Sequence, residues 1–355
     1  MTFPPRKYLQ RDLTLIKESL SKFNPQAIIL YGSHARGEGA FCTIDGVEYA
    51  YNDYDIILSF QNLPNNDYTK IKVDLKKLTR VKWFDIGEYT PKSLGKLKNT
   101  VMGYDLFSNH LVIHGDEEIL ISYMVDVKQR DIRIREAEVL LFTRIWCLIG
   151  SYQSLDEIPD LAGEDLWFFH YQLSKAIFAM VDSTLIQKGA YRSQYNEKII
   201  TYLELEISEL SENLLNWAYK IKINPQSGGF ASLSNLDLFN QVYDRYVNSF
   251  VKLYNIMYHV NNVDDHERLL QLKKHDIKYR IISSLNKINI WKSKYKKHTF
   301  NLAQLGLLLS YNLFPQNQAF LKTCQFYLST ALDQNIEVHD WESLRKIISL
   351  ERQKV

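Results

Sequence analysis

Apolar residues recur at helical spacing from the start of the chain. Over residues 7–23, Leu9, Leu13, Ile16 and Leu20 share one face, and Asn24-Pro25 marks the stop. The next run, AIILYG, is short, apolar and closed by glycine, which predicts a buried strand. SHARGEG then reads as a turn into a helix start. AFCTIDGVEYAYN reads as a hairpin with Asp45-Gly46 at its tip. NDYDIILSF predicts a second strand, acidic where it begins, and NLPNND a loop. DYTKIKVDLKKL predicts a helix and RVKWFDIGEY a third strand. LGKLKNTVMGYDLF reads as helical, HLVIHG as a strand and DEEILISYM as helical.

Beyond about residue 126 the pattern is helical throughout. Long helical periodicity covers IREAEVLLFTRIWCLIG, DLWFFHYQLSKAIFAMVDSTLIQKG and NEKIITYLELEISELSENLLNWAYKI. Further helices are predicted near 236–262, 264–295, 300–313, 316–333 and 339–352. The expectation is an α/β (α+β) domain with a mixed sheet over residues 1–125, then a larger all-helical domain over 126–355. Pro, Gly and Ser in residues 223–235 suggest a sub-boundary there.

Composition changes this picture little. The chain has 355 residues, 46% hydrophobic and 24% charged, and a net charge of +2. That is the balance of a chain able to build a core, with no global claim on nucleic acid or membrane. Cys42, Cys147 and Cys324 are odd in number and widely spaced, which speaks against a disulfide framework or a Cys-rich zinc site. A cytoplasmic location is expected. The N-terminus has no secretory h-region, and the longest apolar run, near Leu302–Leu313, falls short of the ~20 residues a span needs.

The candidate chemistry lies in three places. Asp53 and Asp55 are two apart, so on a strand their carboxylates leave one face. Like charges side by side repel unless a cation lies between them, and Mg²⁺ takes oxygen ligands together with water and phosphate. Asp85, between Phe84 and Ile86 in the next strand, would add a third carboxylate. Three such groups can hold two metals. Before them, Gly32 permits close backbone approach to a phosphate, and Ser33 offers a hydroxyl and an amide at a helix start. Arg36 offers a guanidinium.

Gly32-Ser33, Arg36-Gly37-Glu38, Asp53-Tyr54-Asp55 and Asp85 together resemble the DNA polymerase β-like nucleotidyltransferase superfamily. Within it they resemble the branch of kanamycin nucleotidyltransferase and the MNT antitoxins. The resemblance covers about residues 24–120. It implies a mixed sheet flanked by helices, with Mg²⁺ (or Mn²⁺) as metal and a nucleoside triphosphate, ATP first, as donor. Carried over by residue, Asp53, Asp55 and Asp85 are catalytic and metal-binding, while Gly32 and Ser33 hold the triphosphate with Arg36 as accessory. Asp74 is an alternative for the third acid. Nineteen residues lie between Ser33 and Asp53, a longer spacer than the family's usual one, and the hairpin accounts for the excess.

The resemblance implies transfer of a nucleoside monophosphate to a hydroxyl, with release of pyrophosphate. A small molecule or sugar is the favoured acceptor, with protein or RNA as alternatives. Two other functions carry the same motif: an antitoxin-like module that nucleotidylates or binds a partner protein, and a non-catalytic nucleotide-binding protein. In the helical part, Lys175 and His170 read as a surface lysine and a core histidine. The basic residues of 273–298, interleaved with Tyr279, Trp291 and Tyr295, read as a solvated face or a polyanion grip. Arg268 and His275 faintly echo the Arg–His signature of HEPN ribonucleases.

Overall fold

The computed structural model describes residues 6–64, 66–81, 83–120, 127–259, 266–274, 289–311 and 318–352. The chain divides into two compact units. The first comprises residues 1–136 with 184–228, the second 137–183 with 229–355. The stretch 184–228, grouped by sequence with the helical part, thus belongs to the first unit. The division falls within one long helix, between Ser183 and Thr184.

The first unit is built on a four-stranded mixed sheet. Its strands are β1 (Ala27–Tyr31), β4 (Tyr54–Ser59), β5 (Phe84–Tyr89) and β6 (Leu111–Gly115), in the order β5-β4-β1-β6. β1 runs antiparallel to both neighbours, while β4 and β5 are parallel. Alternation along the strands separates two cores. One face carries Ile28, Leu30, Tyr54, Ile56, Leu58 and Phe84. It packs on α1 (Lys7–Leu20) and α3 (Thr69–Thr79) through Leu9, Ile16, Leu20, Ile71 and Leu75. The other face carries Ala27, Ile29, Tyr31, Ile57 and Tyr89. It packs on α4 (Pro91–Leu94) and α5 (Val101–Ser108) through Leu94, Met102 and Leu106.

Local signals set most of these bounds. α1 ends in a short 3-10 turn closed by Asn24 in the left-handed region at φ 52°, with Pro25 next. Between β1 and β4 lie the short helix α2 (Gly32–Ala35) and a hairpin of β2 (Phe41–Ile44) and β3 (Val47–Ala50). Asp45 and Gly46 take φ of 50° and 75° at its tip, the two left-handed residues of a primed turn. The hairpin pairs Thr43 with Glu48. The outward backbone N–H and C=O of Thr43 are met by the Gln226 side chain, at 2.8 and 3.2 Å.

Several predicted helices differ: the stop expected between 295 and 300 is absent from the continuous helix Asn289–Ser310, and the helix read from Ile134 breaks at Ile145. The 94–107 segment is broken, because Thr100 caps α5 afresh by accepting from the Gly103 N–H at 3.0 Å. After α6 (Ile134–Arg144), α7 (Trp146–Ile149) and α8 (Gly163–Gln187), the long helix read across 196–221 is two, α9 (Tyr195–Glu204) and α10 (Glu212–Ile223). Glu206 turns left-handed at φ 54°, and Ser211 caps α10 by accepting from the Leu214 N–H. Of the helix read over DEEILISYM, residues 117–120 form turns and 121–124 lie outside the described residues.

The described part of the second unit is helical. Its core is rich in rings, with Phe239, Tyr243, Tyr246, Phe250 and Tyr254 along one face of the helix Asn235–Tyr258. Arg345 is buried and donates to the carbonyls of Ile149, Tyr152 and Gln153. His170 is a core histidine, its Nε2 3.0 Å from Asn235 Oδ1. Lys175 is half-buried, with its ammonium over the Tyr171 ring. Lys273, first of the basic stretch, is buried against Glu138 at 2.7 Å rather than solvated. Residues 275–288 and the side chains of Arg268, Trp291 and Lys292 lie outside the described residues, and with them most of that stretch and the Arg268–His275 pair. Among the described residues no helix is long and apolar enough to cross a membrane. The three cysteines are buried.

Candidate active site

Strand register assembles the site. β4 and β5 are parallel and in step, so Asp55 stands directly beside Asp85. Tyr31 is the antiparallel partner of Asp55 on the other side. Alternation places Asp55, Asp85, Tyr31 and Tyr89 on the face that carries Ile57, opposite Tyr54, Ile56 and Phe84. Asp53 precedes β4 by one residue. Asp53 and Asp55 are half-buried, and Asp85 is exposed.

All three carboxylates act on one phenol. Burial pushes the Tyr31 hydroxyl well above the ordinary phenol range, and the charges of Asp55, Asp85 and Asp53 push it further. Burial and Asp85 raise Tyr89 likewise. The sheet therefore presents a concentrated negative edge. Asp74, the alternative third acid, is exposed on α3, whose buried side packs on the opposite face; it is not part of this group.

The glycine-serine turn meets the carboxylates at one point. Gly32 lies at φ +75°, a conformation that disfavours any side chain. A Cβ there would fall 2.2 Å from Asp55 Oδ2. The turn and the aspartate thus share a space that only glycine leaves open. Ser33, at the start of α2, is buried, and its Oγ accepts from Asn52 Nδ2 at 2.8 Å.

Arg36 is not brought to this edge. Its guanidinium is buried and set between Asp105, at 3.2 Å, and Glu38, at 3.5 Å, beneath the Tyr195 ring. Burial opposes its charge, but Asp105 and its other neighbours outweigh that, so it stays a cation. Glu38 in turn accepts from the Tyr195 backbone N–H through both oxygens, at 3.0 and 2.9 Å. That places a carboxylate on the open N–H groups of α9. Burial nonetheless raises the Glu38 pKa. The Arg36-Gly37-Glu38 segment thus links Asp105 of α5 to the start of α9.

Sequence reasoning missed the supports behind the aspartates. Tyr54, between the two acids, points to the far face, donates to Asp12 Oδ2 at 2.8 Å and stacks on His34 at 4.5 Å. Asp12 is wholly buried, and burial holds its carboxyl above the usual range. An acid on the apolar face of α1 was the available signal. Two buried lysines of the same unit, Lys198 and Lys222, lie over the Tyr195 ring.

Among the described residues, no three His, Cys, Asp or Glu side chains come close enough together to hold a metal ion. The ready-made three-carboxylate cage expected from the sequence is therefore not what the site presents. It presents an edge of hard oxygen donors, with Asp55 beside Asp85 and Asp53 just ahead of β4. Mg²⁺ suits such an edge, because it is usually held by one or two carboxylates and completes its shell with water and substrate phosphates. The missing side chain at Gly32 is what lets Asp55 Oδ2 stand against the turn. No family model, no curated protein and no solved structure matches this chain.

Proposed function

We propose that the first unit is a metal-dependent nucleotidyltransferase site. It would move a nucleoside monophosphate from a triphosphate, with ATP the first donor to test, to a hydroxyl acceptor, releasing pyrophosphate. The observation that carries this reading is the in-register Asp55–Asp85 pair beside a glycine turn that Asp55 itself touches. In the reading, Asp53 and Asp55 hold Mg²⁺. The metal supplies charge neutralisation at the phosphates and acidifies the acceptor hydroxyl. Gly32 lets the triphosphate approach the backbone, and Ser33 donates to a phosphate oxygen. Asp85, the most exposed acid, receives the acceptor proton. Catalysis of this kind is mostly positioning and charge stabilisation. A small-molecule or sugar hydroxyl is the favoured acceptor.

That no three His, Cys, Asp or Glu side chains gather at one point among the described residues also fits a second reading, a protein that binds nucleotide without turning it over. One experiment separates the two: full-length protein, Mg²⁺ and α-labelled nucleoside triphosphates with a panel of hydroxyl acceptors, beside Asp53→Asn/Asp55→Asn. Label transfer by the wild type alone supports the enzyme. Equal transfer by both proteins rejects it, and nucleotide binding with no transfer favours the second reading.

A further inference from the structure

Asn52 stands immediately before the Asp53–Asp55 pair and is 6% exposed. Both ends of its amide are used. Oδ1 accepts from the Ala40 backbone N–H at 2.6 Å. Nδ2 donates to Ser33 Oγ at 2.8 Å and to the Asp53 carbonyl oxygen at 3.2 Å. Ala40 settles which end is which: a backbone N–H only donates, so it must meet Oδ1, and the NH₂ is left facing Ser33.

This fixes the polarity of the serine. A hydroxyl has one proton to give. Because Ser33 Oγ receives a proton from Asn52, its own O–H is committed to some other acceptor. The same amide, through Ala40 and Asp53, holds the end of the 37–40 loop and the entrance of β4. Its contacts reach from the glycine-serine turn to the first acid.

We propose that Asn52 is a positioning residue that sets the Ser33 hydroxyl as a donor to the phosphate of a bound polyphosphate. The proposal rests on the nucleotidyl-transfer reading of the same site. Its sharpest probe is Asn52→Asp. The near-isosteric carboxylate still accepts from Ala40, but it has no N–H for Ser33. The serine proton must then turn toward it, and the phosphate loses its donor.

The test is calorimetric binding of Mg²⁺-tripolyphosphate and Mg²⁺-ATP to the full chain, in wild type, Ser33→Ala, Asn52→Asp and the double variant. Ser33→Ala and Asn52→Asp should each weaken binding about tenfold, the worth of one hydrogen bond to a charged group. Because Asn52 acts through Ser33, the loss from Asn52→Asp should shrink several-fold in the Ser33→Ala background. An equal loss in both backgrounds would mean only added charge or general damage, and would overturn the proposal. If Asn52→Asp does not fold, the uncharged Asn52→Ala takes its place in the same cycle: a loss that shrinks without Ser33 supports the proposal, and an equal loss overturns it. A wild type that binds neither ligand defeats the transfer reading itself; a wild type that binds, with additive losses, defeats only the role of Asn52.

Discussion

Asp55 Oδ2 occupies the place where a side chain on Gly32 would begin, 2.2 Å from the position of its Cβ. The turn that would cradle a phosphate and the acid that would hold the metal are thus fitted to each other before any ligand arrives. Gly32→Ala should cost on the order of 1–3 kcal/mol, from the left-handed backbone and the overlap together. Removing the obstacle with Asp55→Ala should recover part of that loss. Denaturant unfolding of the two single variants and the double variant reads the coupling directly. Strictly additive losses would show that the two residues do not compete for the space.

Arg36 gives a different expectation. Its guanidinium compensates Asp105 and Glu38 in a buried setting, so Arg36→Met leaves two carboxylates without their cation. The loss of stability should be about 3–5 kcal/mol. Calorimetric melting checks it. A variant that melts like the wild type but binds triphosphate poorly would return Arg36 to the phosphate role read from the sequence.

His34 adds a pH dependence. Burial lowers its pKa from 6.5 to about 4; the Asn52 backbone and Asp53 oppose this, while the charges of Lys222 and Arg36 add to it. Between those values the unfolded chain holds a proton that the folded chain refuses. Stability therefore rises with pH in that window: the contribution is whole above pH 6.5 and is lost as pH falls toward 4. Its size is on the order of 3 kcal/mol. Asp12 and Glu38, both pushed up by burial, tilt the profile the other way, so the useful comparison is variant against wild type at each pH. His34→Phe, which keeps a ring against Tyr54, should flatten the profile between pH 6.5 and 4 in urea melts. An unchanged acid loss would place it elsewhere.

Tyr54→Phe tests the support behind the acids. It removes the hydroxyl that donates to the wholly buried Asp12. The expected cost is about 1–3 kcal/mol, since a buried carboxylate loses one of its partners. Arg11 also donates to Asp12, to Oδ1 at 2.8 Å; a cost near zero by chemical denaturation would show that Arg11 alone satisfies it.

What the sequence made legible was local. Asn24-Pro25, Asp45-Gly46 and the apolar runs of β1 and β4 each carry their own conformational reason, and the structure follows them. The strand face of Asp55 followed from alternation, whereas Asp53 falls just before β4. The partners of Arg36 did not: Asp105 and the N-terminus of α9 are 69 and more than 150 residues away, and no periodicity reports such a pairing. The inward turn of Tyr54 toward Asp12 and the bridge from Asn52 to Ser33 were hidden for the same reason. The break between α9 and α10 was missed because continuous apolar spacing outweighed the capping signal of Ser211-Glu212.

Every role proposed for the site requires the acidic edge of β4 and β5 to accept a metal-bound triphosphate beside Gly32. The most direct test is titration of a non-hydrolysable ATP analogue into the full-length protein with and without Mg²⁺, in the wild type and in Asp53→Asn/Asp55→Asn. The expected result is binding that needs Mg²⁺ and falls at least about a hundredfold in the double variant, as loss of two charged ligands implies. Binding that is the same without Mg²⁺, or the same in both proteins, would contradict it.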